Sequence, residues 1–409
     1  MAEREFDIVL MGATGFTGRL VAEQLLARHG ADGDLRWALA GRSVERLEEV
    51  RRELGGKAGS LELIRADSHK RDSLDALVAR TRVVLTTVGP YAHHGSELVA
   101  ACVAAGTDYC DLSGEVPWMR RMIDAHQDEA AESGARIVHC CGFDSIPSDL
   151  GTWFLQREAK KRFGKPMDRV RLRVKAAKGG LSGGTFASML NIVEEARNDP
   201  EVKRVLKNPY ALCPPDRREG PRQPYVNGPK HDEVLDAWAA PFIMAAVNTR
   251  VVHRANALAD YPYGKEFRYD EAVLTGSGFG GRMKATMVSL GMGAFALGAA
   301  FRPTRAMLNK LVLPDPGEGP SKEQRENGFF NIVIVGSDES GNLLRVRVKG
   351  DRDPGYGSTS KMIGEAAACL ARDIGDDVPG GFWTPATALG EPLLRRLREH
   401  AGVTFETED

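Results

Sequence analysis

The chain has 409 residues, of which 42% are hydrophobic and 27% charged, a composition typical of a globular protein and not of a disordered one. Its length exceeds the size at which one hydrophobic core usually stops growing, so we predict two domains. The formal net charge of -1, without a basic stripe interleaved with aromatic residues, excludes nucleic acid as a predicted partner.

Residues 1–150 alternate short apolar runs with longer amphipathic stretches. Helix signals mark these stretches, with Ser43 as an N-cap and with Gly30 and Gly106 just beyond helix ends. Strands separated by helices predict right-handed crossovers, and therefore an α/β fold with a doubly wound parallel sheet. The predicted strands are residues 6–12, 35–41, 61–67, 82–89, 108–113 and 135–142.

Three glycines stand between the first predicted strand and the helix after it, in the segment GATGFTG at residues 12–18. Here Gly12 permits a tight turn, Gly15 lets the backbone approach a pyrophosphate, and Gly18 lets the helix pack against the sheet. The spacing Gly-x-x-Gly-x-x-Gly is a variant of the usual dinucleotide motif, and a purely structural turn is the alternative. We predict that a dinucleotide binds to Gly12, Ala13, Thr14, Gly15, Phe16, Thr17 and Gly18.

The second predicted strand ends in AGRS, which indicates the type of nucleotide. A free ribose 2′-hydroxyl is usually bound by a carboxylate at this point, whereas Arg42 suits a 2′-phosphate, with Ser43 as a second ligand. We therefore predict NADP as the cofactor; the alternative is that Arg42 merely begins an exposed helix. Asp67, at the end of the third strand, is predicted to lie near the adenine or to cap the next helix.

Two further turns are predicted to line the reaction cleft, because ligands of such sheets bind beyond the carboxyl ends of the strands. The first, TTVGPYAHHG, places Val88, Gly89 and Pro90 beside the nicotinamide half of the cofactor, and the second is CCGFDSIPSD at residues 140–149. Each polar residue in them has a structural alternative, namely capping, solvent exposure or closing of a turn. The candidates for catalysis are Tyr91, His94, Asp144 and Ser145, with His93 beside them.

From about residue 151 the pattern changes, and apolar residues alternate with charged ones. This alternation is typical of half-buried antiparallel strands, and residues 329–336 and 342–350 are predicted to form a hairpin. We predict a second, α+β domain at 151–350 with a mixed or antiparallel sheet. Residues 351–409 are predicted to form a helical segment that packs back on the first domain.

Residues 285–301, ATMVSLGMGAFALGAAF, form a run of 17 residues without a charge. A bilayer-spanning helix needs about 20 apolar residues, and three internal glycines weaken that interpretation further. We predict a buried helix; the alternative is an interfacial helix, because flanking basic residues favour anionic headgroups. The flanking residues are Arg282, Lys284, Arg302 and Arg305.

Several other motifs are absent or interrupted. Six cysteines without a Cys-x-x-Cys pair and nine histidines without His-Glu-x-x-His give no support for a metal site and are typical of a reducing compartment. The charged N-terminus MAEREFD lacks the pattern of a signal peptide, so we expect a cytoplasmic protein. Tyr261 and Lys265 have the spacing of the short-chain dehydrogenase pair, but Pro262 and Gly264 interrupt the helix that this pair requires.

Six segments, distributed over most of the chain, carry a resemblance to a known family. They are GATGFTG, AGRS, GPYAHHGSELVAACVAAGTDYCDLSGE at 89–115, CGFDSIPSDLG at 141–151, SGGT at 182–185 and DPGYGSTSKM at 353–362. Together they resemble the saccharopine dehydrogenase-like oxidoreductases, and within these the trans-acting enoyl reductases of lipid polyketide synthesis. The resemblance implies a Rossmann-type NADP-binding domain followed by a substrate domain.

The choice of substrate within this family depends on polarity. A saccharopine-forming enzyme binds a doubly charged adduct and needs clustered arginines and carboxylates, whereas the apolar run at 285–301 suits an acyl chain. The resemblance therefore implies reduction of an α,β-unsaturated acyl thioester by hydride from the nicotinamide, with Tyr91 as the hydrogen-bond donor to the enolate oxygen.

Two alternatives stay open. One is an amino-acid or imine oxidoreductase of the saccharopine type, and the other is a non-catalytic NADPH-binding protein at a membrane or lipid droplet. The predicted substrate partner is an acyl chain presented by the carrier domain of a polyketide synthase. A homodimer and a peripheral membrane contact through residues 285–301 are the further expectations.

Overall fold

The computed structural model describes residues 4–179, 183–300 and 319–408, so that Ser182, Arg302 and Arg305 lie outside the described residues. The strands are β1 (Phe6–Met11), β2 (Trp37–Gly41), β3 (Glu62–Arg65), β4 (Thr81–Thr86), β5 (Asp108–Cys110), β6 (Arg136–Val138), β7 (Arg169–Lys178), β8 (Lys230–Asp232), β9 (Ala237–Pro241), β10 (Arg268–Gly276), β11 (Phe329–Ser337), β12 (Leu343–Gly350), β13 (Gly381–Trp383) and β14 (Val403–Glu408). The helices are α1 (Phe16–His29), α2 (Val44–Glu53), α3 (Arg71–Val78), α4 (Tyr91–His94), α5 (Ser96–Ala105), α6 (Val116–Ser133), α7 (Ile146–Phe163), α8 (Gly183–Asn198), α9 (Pro200–Lys207), α10 (Ala245–Leu258), α11 (Gly278–Ala300), α12 (Lys322–Glu326), α13 (Thr359–Arg372) and α14 (Pro385–His400).

The first sheet has seven strands in the order β13-β6-β5-β4-β1-β2-β3, and its pairings are parallel. β1 is buried along its whole length, as expected of a parallel sheet with helices on both faces. The predicted doubly wound sheet is confirmed, and each of the six predicted strands is present. The strand order reverses between β1 and β4, and this switch point is where such sheets bind ligands.

The C-terminal segment contributes to both sheets. The helix predicted there is present as α13, and it packs against α1, β1, β4 and β5. β13 extends the first sheet beside β6, and β14 extends the second sheet beside β12. The segment predicted as helical thus also contains two strands, one of which is too short to produce a recognisable alternation. The predicted domain limits stay a prediction.

The second sheet has the order β14-β12-β11-β7-β10-β9-β8 and is mixed, because β7 and β10 are parallel while their outer neighbours are antiparallel. The predicted hairpin is confirmed as β11 and β12, with Ile332 opposite Val348. The face of this sheet opposite to Ile332 and Val348 also contains buried side chains. On it Arg173 is buried and forms ion pairs of 2.7 Å with both Asp232 and Asp270.

The prediction of a buried helix at 285–301 is wrong. α11 exposes an apolar stripe, in which Met287 and Leu290 are each 68% exposed and Leu297 is 66% exposed, while its other face, including Met292 and Phe295, lines an internal cavity. The lack of charge determines that the helix is apolar, but only packing determines which side is covered. Within the described residues, no helix is both long and apolar enough to cross a bilayer.

Candidate active site

The glycine loop at residues 12–18 makes a tight turn between β1 and α1. Gly12 has a φ of +93°, which favours glycine, and the nitrogen of Gly15 donates to the Gly12 carbonyl over 3.0 Å. A β-carbon on Gly18 would lie 2.1 Å from the same carbonyl oxygen, so glycine is needed for α1 to begin this close. Gly15 is exposed at the N-cap and provides no side-chain cap, which leaves the first-turn amides of α1 available to a phosphate group.

The other residues of this loop differ in burial. Ala13 is fully buried and Thr14 is half-buried, whereas Phe16 and Thr17 line a large cavity together with Gly15. The Phe16 ring packs edge-on against Tyr356, with ring centroids 4.9 Å apart. The predicted phosphate-binding loop therefore forms part of the cavity wall.

Arg42 and Asp67 follow two neighbouring strands, because β2 and β3 pair in parallel with Gly41 opposite Arg65. Arg42 is exposed, and within the part of the chain that the structure describes its guanidinium makes no hydrogen bond or ion pair. An unpaired guanidinium at this strand end has the chemistry that a ribose 2′-phosphate requires.

The other two residues predicted for the adenosine end make local turns. The Ser43 hydroxyl caps α2 by accepting from the nitrogen of Arg46, and it donates to the Glu45 carboxylate over 2.6 Å. Asp67 accepts from the nitrogen of His69 over 3.0 Å and is not the N-cap residue of α3, which is Lys70. Both side chains therefore already have partners in the protein.

His94 belongs to a cluster of cationic and imidazole groups. Its Nδ1 lies 2.9 Å from Nε2 of His69, and His93 bonds to Asn191 over 3.1 Å. Burial lowers the pKa of His94, and His69, His93 and Arg42 lower it further. His94 does not line the cavity, whereas Tyr91 and Asp144 do.

A cavity of about 980 Å³ opens beside the glycine loop. Gly89 and Pro90, which follow β4, line it together with Asp144, and residues of α8 and α11 form much of the remaining wall. Phe186 of α8 and Phe295 of α11 pack edge to face with ring centroids 5.9 Å apart. Among the described residues no arginine, lysine or histidine lines this cavity, so the structure favours an apolar ligand there.

Asp144 is the ionisable carboxyl group in this wall. Burial raises its pKa to about 7, and the nearby Glu271 carboxylate acts in the same direction. A carboxyl group with this pKa is partly protonated near neutral pH and can transfer a proton in either direction. Asp144 therefore has the properties of a general acid.

Ser145 lies behind the cavity and not in its wall. It is fully buried, and its hydroxyl bonds to Asn248 over 2.9 Å. The Asn248 amide donates to Glu271 over 2.9 Å, and Tyr269 donates to the other Glu271 oxygen over 2.6 Å. Ser145 thus anchors the loop that carries Asp144, and the catalytic role predicted for it stays a prediction.

Tyr91 lines the cavity, but its hydroxyl is used within the protein. It donates to the Thr86 carbonyl over 3.2 Å and accepts from the nitrogen of Leu112 over 3.1 Å, while its ring stacks on Trp118. Burial raises the pKa of Tyr91, so the phenol stays neutral. A tyrosine has a single O–H donor, and here that donor is not available to an enolate.

Two groups that the sequence reasoning missed complete the site. Glu115 is buried and accepts from the nitrogens of Tyr91 and Ala92 over 2.8 and 2.9 Å, which fixes the start of α4. Tyr356, in the segment DPGYGSTSKM, lines the cavity beside the start of α8. This segment carried part of the family resemblance. Tyr356 is its only aromatic residue, and this could have marked it as a candidate site residue from the sequence.

Comparison with known proteins agrees with these features. Residues 8–138 match the saccharopine dehydrogenase NADP-binding domain. A putative trans-acting enoyl reductase of Mycobacterium tuberculosis is 45% identical, covering 99% of this chain and 98% of the relative. A trans-acting enoyl reductase of Mycobacterium bovis is 40% identical, with the same coverage of 99% and 98%.

Two solved structures share the fold at low sequence identity. Saccharopine dehydrogenase (L-Glu forming) from Saccharomyces cerevisiae aligns with a TM-score of 0.54 at 13% identity and covers 99% of this chain and 100% of its own. Homospermidine synthase from Legionella pneumophila aligns with a TM-score of 0.52 at 9% identity, over 99% and 92% of the two chains. These similarities concern the fold alone.

The parallel sheet, the glycine loop and the matched domain define a Rossmann-type, NADP-dependent oxidoreductase. The sequence alignments with the two mycobacterial relatives extend over 99% of the chain. The chain belongs to the trans-acting enoyl reductases of the saccharopine dehydrogenase-like family, and the resemblance identified from the sequence is confirmed.

Proposed function

We propose that this protein uses NADPH to reduce the carbon–carbon double bond of an α,β-unsaturated acyl thioester that a polyketide synthase carrier domain presents in trans. The observation that carries this proposal is the apolar cavity of about 980 Å³, which contains both the glycine loop and an acidic group with a pKa of about 7. The names of the relatives support the same reaction class.

The protein groups assigned to the cofactor are mainly backbone groups. The first-turn amides of α1, which follow the N-cap Gly15, bind the pyrophosphate, and Arg42 binds the 2′-phosphate. Gly89 and Pro90 form the cavity wall beside the nicotinamide, with Val88 directly before them. When bound, NADPH supplies the hydride for the β-carbon of the thioester. The close packing of Gly12 and Gly18, where a β-carbon would clash, fits a loop shaped for a diphosphate.

Asp144 supplies the proton in this proposal. Its raised pKa keeps a fraction of the carboxyl protonated near neutral pH, and its place in the cavity wall gives it access to the α-carbon. Ser145, Asn248 and Glu271 hold and tune this loop from behind. The products are a saturated thioester and NADP⁺.

The saccharopine-type alternative is less well supported. A doubly charged amino-acid adduct requires cationic side chains, and in the described part of the cavity wall there are none. A non-catalytic NADPH-binding protein has no need of an acid that titrates near pH 7 inside an apolar cavity. Both alternatives are outcomes of the experiment below.

The experiment supplies purified protein with NADPH and N-acetylcysteamine thioesters of enoyl chains of increasing length. We expect loss of NADPH absorbance and formation of the saturated thioester, detected by mass spectrometry, with long chains preferred. Glutamate together with an aldehyde is the competing substrate pair. Turnover of that pair alone would support the saccharopine-type reaction, and NADPH binding without turnover of either would support a non-catalytic role.

The exposed stripe of α11 supports a further part of the proposal, namely peripheral contact of a cytoplasmic enzyme with an anionic membrane. The segment Gly278–Ala300 contains Arg282 and Lys284 and no acidic residue, so its charge complements anionic headgroups. We expect co-flotation with vesicles that contain an anionic phospholipid, and less with neutral vesicles. Met287→Ser/Leu290→Ser should abolish it; loss of a homodimer in the same variant would instead assign the stripe to a second copy.

A further inference from the structure

Tyr356 is a buried tyrosine in the cavity wall, and its hydroxyl group does not donate a hydrogen bond to any described residue. The residue is 6% exposed, and its ring is held edge-on to Phe16 of the glycine loop. The hydroxyl oxygen accepts from the nitrogen of Gly183 over 3.0 Å. Among the described residues, no group accepts a hydrogen bond from the Tyr356 O–H itself.

Three of the four other buried tyrosines donate to an acceptor in the protein; the fourth, Tyr263, lies outside this cavity and makes no hydroxyl hydrogen bond to the described residues. Tyr109 donates to Asp111 over 2.9 Å, Tyr269 donates to Glu271 over 2.6 Å, and Tyr91 donates to Thr86. A buried donor without an acceptor costs free energy. A donor that remains free at a cavity wall is therefore a candidate for binding a ligand atom.

The position of Tyr356 is fixed by the turn that carries it. The two carboxylate oxygens of Asp353 accept from the nitrogens of Tyr356 and Gly357 over 2.9 and 2.8 Å. Thr359, at the end of the same turn, accepts from the nitrogen of Phe143 over 3.1 Å. Because Asp144 follows Phe143 directly, the turn with the free hydroxyl and the loop with the acid are tied together, and both line the cavity.

Three other hydroxyl groups in the same wall are used as donors, whereas the Thr17 hydroxyl, in the glycine loop assigned to the pyrophosphate, makes no hydrogen bond to the described residues. Tyr91 donates to Thr86, Ser188 donates to Glu115 over 2.8 Å, and Thr359 donates to the Pro354 carbonyl over 2.8 Å. Tyr356 differs from these three groups because no described residue accepts a hydrogen bond from its O–H. Binding of a carbonyl oxygen requires such an unused donor.

We propose that Tyr356 is a catalytic residue that donates a hydrogen bond to the thioester carbonyl oxygen, an inference that rests on the proposed enoyl reduction. Hydride addition to the β-carbon moves the electron pair of the double bond onto this oxygen, where the hydrogen bond stabilises the negative charge of the enolate. The pair then returns to form a bond between the α-carbon and the proton that Asp144 gives up. Tyr356 keeps its own proton, because burial raises the pKa of the phenol.

The test uses cinnamoyl-N-acetylcysteamine, whose absorption moves to longer wavelength when its carbonyl oxygen accepts a hydrogen bond. We expect this shift on the wild-type protein in the presence of NADP⁺, where no reduction can occur, and its loss in Tyr356→Phe. With NADPH and an enoyl thioester, Tyr356→Phe should lower kcat by about 100-fold, while KM and the NADPH Kd change less than about threefold. Incorporation of 3-fluorotyrosine at position 356, which makes the hydroxyl more acidic at nearly unchanged shape, should enlarge the shift.

Tyr91→Phe is the matched comparison, since it removes a hydroxyl from the same cavity wall. Loss of the spectral shift in Tyr91→Phe together with its retention in Tyr356→Phe would overturn the inference and restore the role predicted for Tyr91. Wild-type reduction of enoyl thioesters with an equally active Tyr356→Phe would overturn the inference and leave the proposed function standing. Absence of any wild-type reduction would overturn both.

Discussion

Adding one methyl group at position 18 tests whether the glycine loop is as closely packed as the structure indicates. In Gly18→Ala the new β-carbon would lie 2.1 Å from the Gly12 carbonyl oxygen and 2.9 Å from the Cα of Ala13. Ordinary contacts of a β-carbon begin near 3.4 Å, so the loop and α1 must separate by more than 1 Å. Both opposing atoms are backbone, and the Gly12 nitrogen is bonded to Ala40 of β2 over 3.0 Å, which resists the movement.

This separation has a predictable cost. Overpacking of a well-packed site usually costs about 1–3 kcal/mol, so we expect the free energy of unfolding of Gly18→Ala to fall by about 2 kcal/mol. A misplacement of about 1 Å can lower the rate of an enzyme-catalysed reaction by about 100-fold. We expect a loss of similar size in cofactor binding, so that the NADPH Kd rises by about 100-fold. Thermal unfolding and calorimetric titration of the same preparation measure the two quantities.

Gly15→Ala is the matched control. There the β-carbon would lie 3.5 Å from the Gly12 oxygen, an ordinary contact, and the φ of -77° suits alanine. We expect the melting temperature to be retained, while the exposed methyl group, placed where the pyrophosphate approaches, weakens NADPH binding about tenfold. Wild-type melting and NADPH affinity in Gly18→Ala would refute the packing argument, and wild-type affinity in Gly15→Ala would refute the assigned position of the pyrophosphate.

Three further changes have expected outcomes. For Asp144→Asn we expect kcat to fall about 100-fold. The pKa of Asp144 is about 7 in the folded protein and ordinarily 3.8, so between these pH values the folded state holds a proton that the unfolded state has lost. The free energy of unfolding of the wild type should therefore decrease as pH rises through this interval, and Asp144→Asn should lose that pH dependence. Arg42→Asp should raise the NADPH Kd about 50-fold and leave the NADH Kd within about threefold, and equal losses in titrations of both nucleotides would contradict the 2′-phosphate assignment. Arg173→Met leaves the carboxylates of Asp232 and Asp270 buried without their common partner. The free energy of unfolding, measured in urea, should therefore fall by about 3 kcal/mol. A decrease of less than about 1 kcal/mol would show that water or another cation replaces the guanidinium.

Much of the first sheet and its phosphate loop could be predicted from the sequence, because both depend on local patterns. Apolar runs of strand length between amphipathic helices predict a parallel sheet wherever they occur. Gly12 and Gly18 mark positions where backbone and helix approach too closely for a β-carbon, and residue type alone reports this. The β11–β12 hairpin was equally predictable, since alternation of period two identifies the buried face.

The donor and acceptor partners of the site were not predictable in this way. Tyr91 and Tyr356 carry the same hydroxyl group, yet the hydroxyl of Tyr91 donates to the carbonyl of Thr86, whereas the hydroxyl of Tyr356 is bonded, among the described residues, only as an acceptor from Gly183. Ser145 stands next to Asp144, but its hydroxyl turns away to Asn248, more than a hundred positions along the chain. Sequence lists the groups that can bond, whereas only the packed chain decides which of them find partners.

The amino-acid sequence by itself therefore determined the order of strands and helices in the first 150 residues, the glycine loop and the apolar character of α11, because each follows from interactions between near neighbours in the chain. Only the tertiary structure decided that α11 covers a cavity with one face and exposes the other, that β13 joins the first sheet, and that Tyr356 faces Phe16. Contacts between distant segments decide burial, and burial in turn decides which polar groups remain free to act on a ligand.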